Sequence, residues 1–230
     1  MMLAINPLIW IEKVFLGIYT GSQLIPPQDR LSSTLWWQLT VFYQTQISSK
    51  KQYKWVLFGD SISAHVGNSF GKDFFNFAIS GMSLVSLVEQ LKLLQQAEVK
   101  CDRAIVAIGT NDAWYGISDE TFISLMKEAV FLLRTMGATQ IVLIPAFYST
   151  VAASFNPLRA APFQRVDEIN LLIHQVAQTE NLSLEGEGIF ALYADKSLKE
   201  DLTTDGVHLN QEGCQIYRQF LSIVMSNSSN

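Results

Sequence analysis

The strongest constraint in this chain is an alternation of two kinds of segment. Short apolar runs, Lys54 to Phe58, Phe74 to Ala78, Arg103 to Ile108, Gln140 to Ile144 and a weaker Leu182 to Leu184, have the length and residue types of strands. Between them the apolar residues recur every three or four positions, the period of a helix with one buried face. Leu84, Leu87, Val88, Leu91 and Leu94 form the first such stripe, with Ser83 placed to cap it. A second holds Phe122, Leu125, Met126, Ala129, Leu133 and Met136, opened by Ser118, Asp119 and Glu120 and closed by Gly137. Pro162 introduces a third, with Val166, Ile169, Leu172, Ile173 and Val176, and a fourth follows Asn210 with Ile216, Tyr217, Phe220 and Val224. Strand and helix in alternation predict an α/β fold with a central parallel sheet of about five strands, helices covering both faces.

Composition narrows the partners. The 230 residues carry 16 Lys and Arg against 21 Asp and Glu, a formal charge of −5, so no nucleic-acid partner bound through phosphate neutralisation is expected. Hydrophobic residues make up 49% and charged residues 16%, which suits a sizeable core and excludes a disordered chain. Cys101 and Cys214 are too few for a disulfide framework or a cysteine zinc site and read as buried thiols; no metal and no cofactor is expected. The organisation reads as a helical N-terminal extension over 1–52 packed on the same domain, one domain over 53–225, and a flexible tail over 226–230. Met1 to Ile11 is apolar, but no Lys or Arg precedes it, and Glu12 and Lys13 close it without a small-residue cleavage site, so a cytoplasmic location is the expectation. The longest uncharged stretch, Thr135 to Leu158, is interrupted by Gly137, Gln140, Pro145, Asn156 and Pro157 and reads as turn, strand and loop, so no stable membrane insertion is expected. Leu35, Trp36, Leu39, Phe42 and Tyr43 make an apolar helical stripe, expected to pack on the core or on a partner subunit of a homo-oligomer.

A parallel sheet binds its ligands beyond the carboxyl ends of its strands. There the chain places Gly59-Asp60-Ser61 after the first strand, Ser80-Gly81 after the second and Gly109-Thr110-Asn111-Asp112 after the third; Asp205-Gly206-Val207-His208 follows the fifth. Serine needs an adjacent base to act as a nucleophile, and that base needs a group to fix its tautomer. His174 lies mid-helix, away from these ends. His65, four residues past Ser61, is the rival base; His208 has Asp205 three residues before it, within reach of Nδ1. The charge that develops on a carbonyl oxygen during acyl transfer needs donors aimed at it, which the backbone amides of Ser61 and Gly81 and the side chain of Asn111 can supply. Asp60 and Asp112 are better suited to hold neighbouring backbone amides than to move protons. A metal site from Asp60, Asp205 and His208 is disfavoured, since no H-E-x-x-H, cysteine pair or carboxylate cluster accompanies it.

These residues fall in four blocks: Val56 to Ser63, Asn76 to Ser83, Gly109 to Asp112, and Asp205 to His208. In type, order and separation they resemble the SGNH hydrolases, the GDSL-type lipases and esterases. The resemblance spans 56–208 and implies a flavodoxin-like three-layer α/β/α sandwich. It implies Ser61 as nucleophile, His208 as base and Asp205 as its orienter, with Ser61, Gly81 and Asn111 forming the oxyanion hole. The implied activity is hydrolysis of a small-molecule ester, or of a thioester, through an acyl-serine. The chain departs from the family pattern at Ile62, where leucine is usual, at Leu209, where many members have proline, and at Ile108-Gly109-Thr110, where a glycine pair is commoner. A non-catalytic flavodoxin-like protein holding a flavin or phosphate at the same edge is the competing reading. Trp114, Tyr115, Phe147 and Tyr148 are candidate substrate-binding residues, and the loop over 146–162 either lines an acyl pocket or closes the core.

Overall fold

A computed structural model describes residues 29–227; most of the predicted N-terminal extension, and 228–230 of the predicted tail, lie outside the described residues. Helix α1 (Leu35–Ser48) precedes strand β1 (Gln52–Gly59), the short helix α2 (Ser61–Ala64) and β2 (Phe74–Asn76). Next come α3 (Leu84–Gln96), β3 (Lys100–Ala107), α4 (Thr110–Tyr115), α5 (Asp119–Thr135) and β4 (Gln140–Leu143). The chain continues through α6 (Val151–Ser154), α7 (Phe163–Glu180), β5 (Ser183–Leu184) and a small ribbon of β6 (Tyr193–Ala194) and β7 (Ser197–Leu198), and ends in α8 (Gln211–Asn227). That last helix occupies 226 and 227, where a flexible tail was expected.

Five strands pair in the order β2-β1-β3-β4-β5, every pair parallel. This is the doubly wound, flavodoxin-like order, with its switch point between β1 and β3. Alternation along each strand divides two cores. Val56 and Phe58, Ala104 and Val106, and Ile141 and Leu143 face one side, where α1, α3, α5 and α7 form the cover. Trp55 and Leu57, Ile105 and Ala107, and Val142 and Ile144 face the other, against α8 and the turn of 3₁₀ helix at Glu187–Leu192. The predicted three layers are therefore present.

The helix limits follow their chemistry. Ser83 closes a capping box on α3, its Oγ accepting from the Val85 amide and Ser86 Oγ reaching back to the Ser83 amide. Ser118 Oγ accepts from the Thr121 amide to start α5. Strand limits differ from the apolar runs. β1 and β3 begin earlier, because Gln52 pairs with Lys100 and its side chain donates to Asp102 Oδ1 at 2.6 Å. β2 stops at Asn76, whose side chain accepts from the Ala78 amide and donates to the Ser63 carbonyl, turning the chain toward the loops.

Two expectations need correction. Cys101 is buried, and burial pushes its thiol up to about 12, but Cys214 is only half-buried. The stripe on α1 does not pack on the core: Leu35, Trp36, Leu39, Phe42 and Tyr43 are 52–69% exposed. The helix instead buries Trp37, Val41, Gln44, Thr45 and Ser48. Two of its buried polar side chains are met inside, Gln44 Oε1 accepting from Gln90 Nε2 at 2.7 Å and Ser48 Oγ accepting from Tyr53 Oη at 3.0 Å, while Trp37 Nε1 has no partner among the described residues. Inside hydrogen bonds thus select the face that points inward.

Phe58 is fully buried and stacked on Phe77 with centroids 5.3 Å apart at the centre of the helical side of the sheet. Phe58→Ala should lower the unfolding free energy by about 3–5 kcal/mol in urea titrations, the cost of a large aromatic lost from a packed core.

Candidate active site

The end of β1 sets the position of Ser61. Gly59 is required there, since a Cβ would sit 2.4 Å from the Ser63 side chain. Asp60 then caps α2, its Oδ1 accepting from the Ile62 amide at 2.9 Å, so Ser61 stands at the first position of a helix beyond the sheet edge. The 203–209 loop reaches the same point from the far end of the sequence. His208 Nε2 lies 2.9 Å from Ser61 Oγ, and His208 Nδ1 lies 2.7 Å from Asp205 Oδ2. A carboxylate only accepts, so Nδ1 carries the hydrogen and Nε2 is free to accept from the Ser61 hydroxyl.

Asp205 also holds the loop that carries the imidazole. Its Oδ1 accepts from the amides of Val207 and His208 at 3.0 and 2.8 Å. Thr203 Oγ1 donates to the His208 carbonyl and accepts from the Gly206 amide, and the Thr150 amide donates to the Gly206 carbonyl. An antiparallel bridge of Thr203 with Leu209 closes the turn. Hydrogen bonds thus supply the rigidity that Leu209, standing where relatives have proline, does not.

The electrostatics follow from these contacts. Burial pushes Asp205 upward, but the hydrogen bonds from the His208 ring and from the two amides outweigh it, and the carboxyl lies well below the ordinary carboxylate range. The hydrogen bond to Asp205 raises His208 above its usual 6.5, with burial opposing. His65 is placed otherwise: its Nδ1 is 2.5 Å from the Ser61 carbonyl, not the hydroxyl, and its ring centroid is 6.0 Å from that of His208. His174 is exposed on α7.

The expected donors, the amides of Ser61 and Gly81 and the Asn111 side chain, lie in the segments that follow β1, β2 and β3. Gly81 has φ +82°, a conformation that glycine adopts without strain, and Tyr115 Oη donates to its carbonyl at 3.1 Å. Among the described residues no protein acceptor takes the amide hydrogens of Ser61 and Gly81. Asn111 Nδ2 donates one hydrogen to the Met82 carbonyl at 3.0 Å, which fixes the amide and leaves its second hydrogen for another acceptor. Asp112, fully buried, accepts from the Leu84 amide at 3.0 Å through Oδ1, while its Oδ2 has no partner among the described residues. Asp29 pins the same loop, accepting from the hydroxyls of Ser83 and Ser86. Burial pushes Asp60 up to about 6 and Asp112 to about 7, the latter helped by Asp29 and Asp60.

The candidate substrate-binding residues divide. Tyr115 borders the donors, and Trp114 Nε1 donates to the Pro157 carbonyl at 2.9 Å, joining α4 to the 146–162 loop. Phe147 is instead buried in the second core with its ring 5.1 Å from Tyr217, and Tyr148 donates to Asp167 and packs edge-on to Phe163 and Tyr193. These two close the core, while Val151, Phe155 and Leu158 farther along the loop stand exposed. A cavity of about 620 Å³ lies at the opposite end of the sheet, lined by Gln52, Lys54, Asp73, Asp102, Arg103 and Thr139, and none of the residues above reaches it. The loop-fixing roles of Asp29 and Tyr115 left no mark in the sequence, because each depends on a partner brought close only by folding.

Comparison with known proteins gives a consistent placement. The model of the GDSL-like Lipase/Acylhydrolase family matches residues 57–216. A GDSL-like lipase from Bacteroides thetaiotaomicron superposes with a TM-score of 0.67 at 14% identity, covering 84% of this chain and 98% of the other. A catalytic mutant of an acetylxylan esterase from Geobacillus stearothermophilus gives 0.57 at 17% identity, covering 76% and 96%. An alpha/beta hydrolase enzyme from the metagenome of Lake Arreo gives 0.57 at 17% identity, covering 78% and 96%. At these identities the structural likenesses speak to the fold alone. No curated protein sequence matches.

The buried Asp112 carboxyl generates a test. A folded-state pKa raised from 3.8 to about 7 means that the native state holds this proton where the unfolded chain has lost it. Stability from this group is complete below about pH 4 and declines as pH rises toward 7. Asn mimics the protonated acid. Asp112→Asn should therefore match wild type near pH 4 and exceed it at pH 7.5 by at least about 2–4 °C in Tm, as a gain of one kcal/mol or more would give.

Proposed function

The chain belongs to the GDSL-like lipase/acylhydrolase family, and within that family of ester hydrolases we propose that it works through an acyl-serine intermediate on Ser61. The observation that carries this reading is the unbroken line from Asp205 Oδ2 through His208 to Ser61 Oγ, with separations of 2.7 and 2.9 Å. Ser61 Oγ attacks the ester carbonyl carbon as its proton passes to His208 Nε2. Asp205 keeps Nδ1–H in place and stabilises the imidazolium. The negative charge on the former carbonyl oxygen is met by the amide hydrogens of Ser61 and Gly81 and by Asn111 Nδ2. Collapse breaks the bond to the leaving group, which departs with the proton from His208. Water then attacks the acyl-enzyme, giving its proton to His208; that proton returns to Ser61 Oγ as the acid leaves.

The substrate class follows from the same site. Ester and thioester carbonyls both suit these groups, and the lipase and acetylxylan esterase that share the fold point to carboxylic esters. His65 takes no part in proton transfer, because its Nδ1 is engaged by the Ser61 carbonyl.

Ser61→Ala should reduce kcat on short-chain p-nitrophenyl esters by about 10⁴-fold or more; turnover near the wild-type rate would overturn the mechanism. The base must be neutral to accept a proton, and its pKa is raised from 6.5, so the acidic limb of kcat/KM should have its midpoint above 6.5. Asp205→Asn should move that limb to lower pH and cut kcat by roughly 10²–10⁴-fold, whereas an unmoved limb would assign it to another group.

A further inference from the structure

The outer surface of α1 is unusually apolar. Its fourteen residues include no charged side chain; Trp37, Val41, Gln44, Thr45 and Ser48 are buried, and Gln38 and Gln46 are the polar side chains left exposed. The solvent face presents Leu35, Trp36, Leu39, Phe42 and Tyr43 at spacings of three and four, each more than half exposed. Large apolar side chains so concentrated on the solvent face of a helix without charges mark an interaction surface.

The chemistry of the face and of the chain joined to it identifies the partner. Over residues 1–48 the only charged side chains are Glu12, Lys13, Asp29 and Arg30, which cancel, so the net −5 falls entirely on the rest of the chain. In the sequence before Asp29, Leu8, Ile9, Trp10, Ile11, Phe15 and Tyr19 continue this apolar, aromatic composition, interrupted by the Glu12–Lys13 pair. Trp and Tyr favour the boundary between headgroups and acyl chains, where one end of the ring is apolar and the other wet. A neutral face on an acidic body suits a zwitterionic lipid surface, whereas an anionic one would repel the body. Among the described residues no helix is long and apolar enough to cross a membrane.

We propose that the exposed face of α1 docks the protein peripherally on zwitterionic lipid, lying in the plane of the interface. The consequence for the site lies in where α1 starts. Leu31, in the turn before the helix, has its methyl groups 3.9 Å from where a Gly81 Cβ would stand, and Asp29 bonds Ser83 and Ser86 on the loop of the donors. Docking therefore brings the edge of the Ser61 site beside the lipid surface. The proposal does not depend on the acyl-serine mechanism.

The test is flotation of the full-length protein with phosphatidylcholine vesicles in 0.15 M and 1 M NaCl, together with light scattering of the free protein. The wild type should float with the vesicles at both salt concentrations, since the face is uncharged. The double variant Trp36→Gln/Phe42→Gln changes only exposed side chains, so it should keep its circular dichroism, Tm and turnover of soluble short-chain esters while its vesicle-bound fraction falls at least tenfold. A wild type that does not float overturns the proposal. So does a variant that floats as well as the wild type, which would place the contact elsewhere in the chain. A vesicle-free wild-type dimer that the variant converts to a monomer would give the face to a second copy instead.

Discussion

The pairing of β1 with β3 is the contact on which the site depends. Their register runs from Gln52 opposite Lys100 to Gly59 opposite Ala107, so both strands end at the same level. Each then enters a helix within three residues, at Ser61 and at Thr110. The switch in strand order falls between them, which parts the two following segments to opposite faces and leaves a crevice. Both faces of these strands are packed, Val56, Phe58, Ala104 and Val106 into one core and Trp55, Leu57, Ile105 and Ala107 into the other, so the shapes of two cores hold this register.

The fold was legible because its signals are local and repeated. Each strand is an apolar run, and helices α3, α5, α7 and α8 carry stripes whose period survives without knowledge of neighbours. The placement of Ser61, Gly81 and Asn111 after β1, β2 and β3 was legible for the same reason, whereas His208 reaches Ser61 on a loop beyond the β6-β7 ribbon. Distances and donor vacancies were not. That the amides of Ser61 and Gly81 lack protein acceptors among the described residues depends on backbone paths fixed only on folding.

Where an expectation of burial failed, partners distant in sequence had a part in it. On α1, whose apolar stripe does not pack on the core, Gln44 pairs with Gln90, 46 residues away. Hydropathy alone would turn the helix the other way, since Leu35, Trp36, Leu39, Phe42 and Tyr43 form its more apolar stripe. Phe147 and Tyr148 follow β4 at the carboxyl edge and so suggest a pocket, but Tyr217 on α8 draws the first ring into the core and Asp167 on α7 takes the hydroxyl of the second. Nothing in either residue's own neighbourhood announces those partners.

The buried acids connect stability with chemistry. An ionised Asp112 would hold a charge in a dry region with one backbone donor and an oxygen lacking a partner, so burial favours the neutral acid up to about pH 7. The loop that Asp112 fixes through the Leu84 amide also carries Gly81. On the proposed route a negative oxygen must form beside that loop, and a neutral carboxyl supports the backbone without opposing this charge. Burial dominates at Asp60 too and pushes it up to about 6, but the Ile62 hydrogen bond, the nearby His208 and the Thr110 hydrogen bond each favour its charged form. When His208 takes the proton from Ser61, the resulting imidazolium is therefore faced by Asp205 through a direct bond and by Asp60 through space. The same desolvation that costs stability at Asp112 thus keeps repulsion away from the donors, while the carboxyls with better hydrogen bonding lie where positive charge develops.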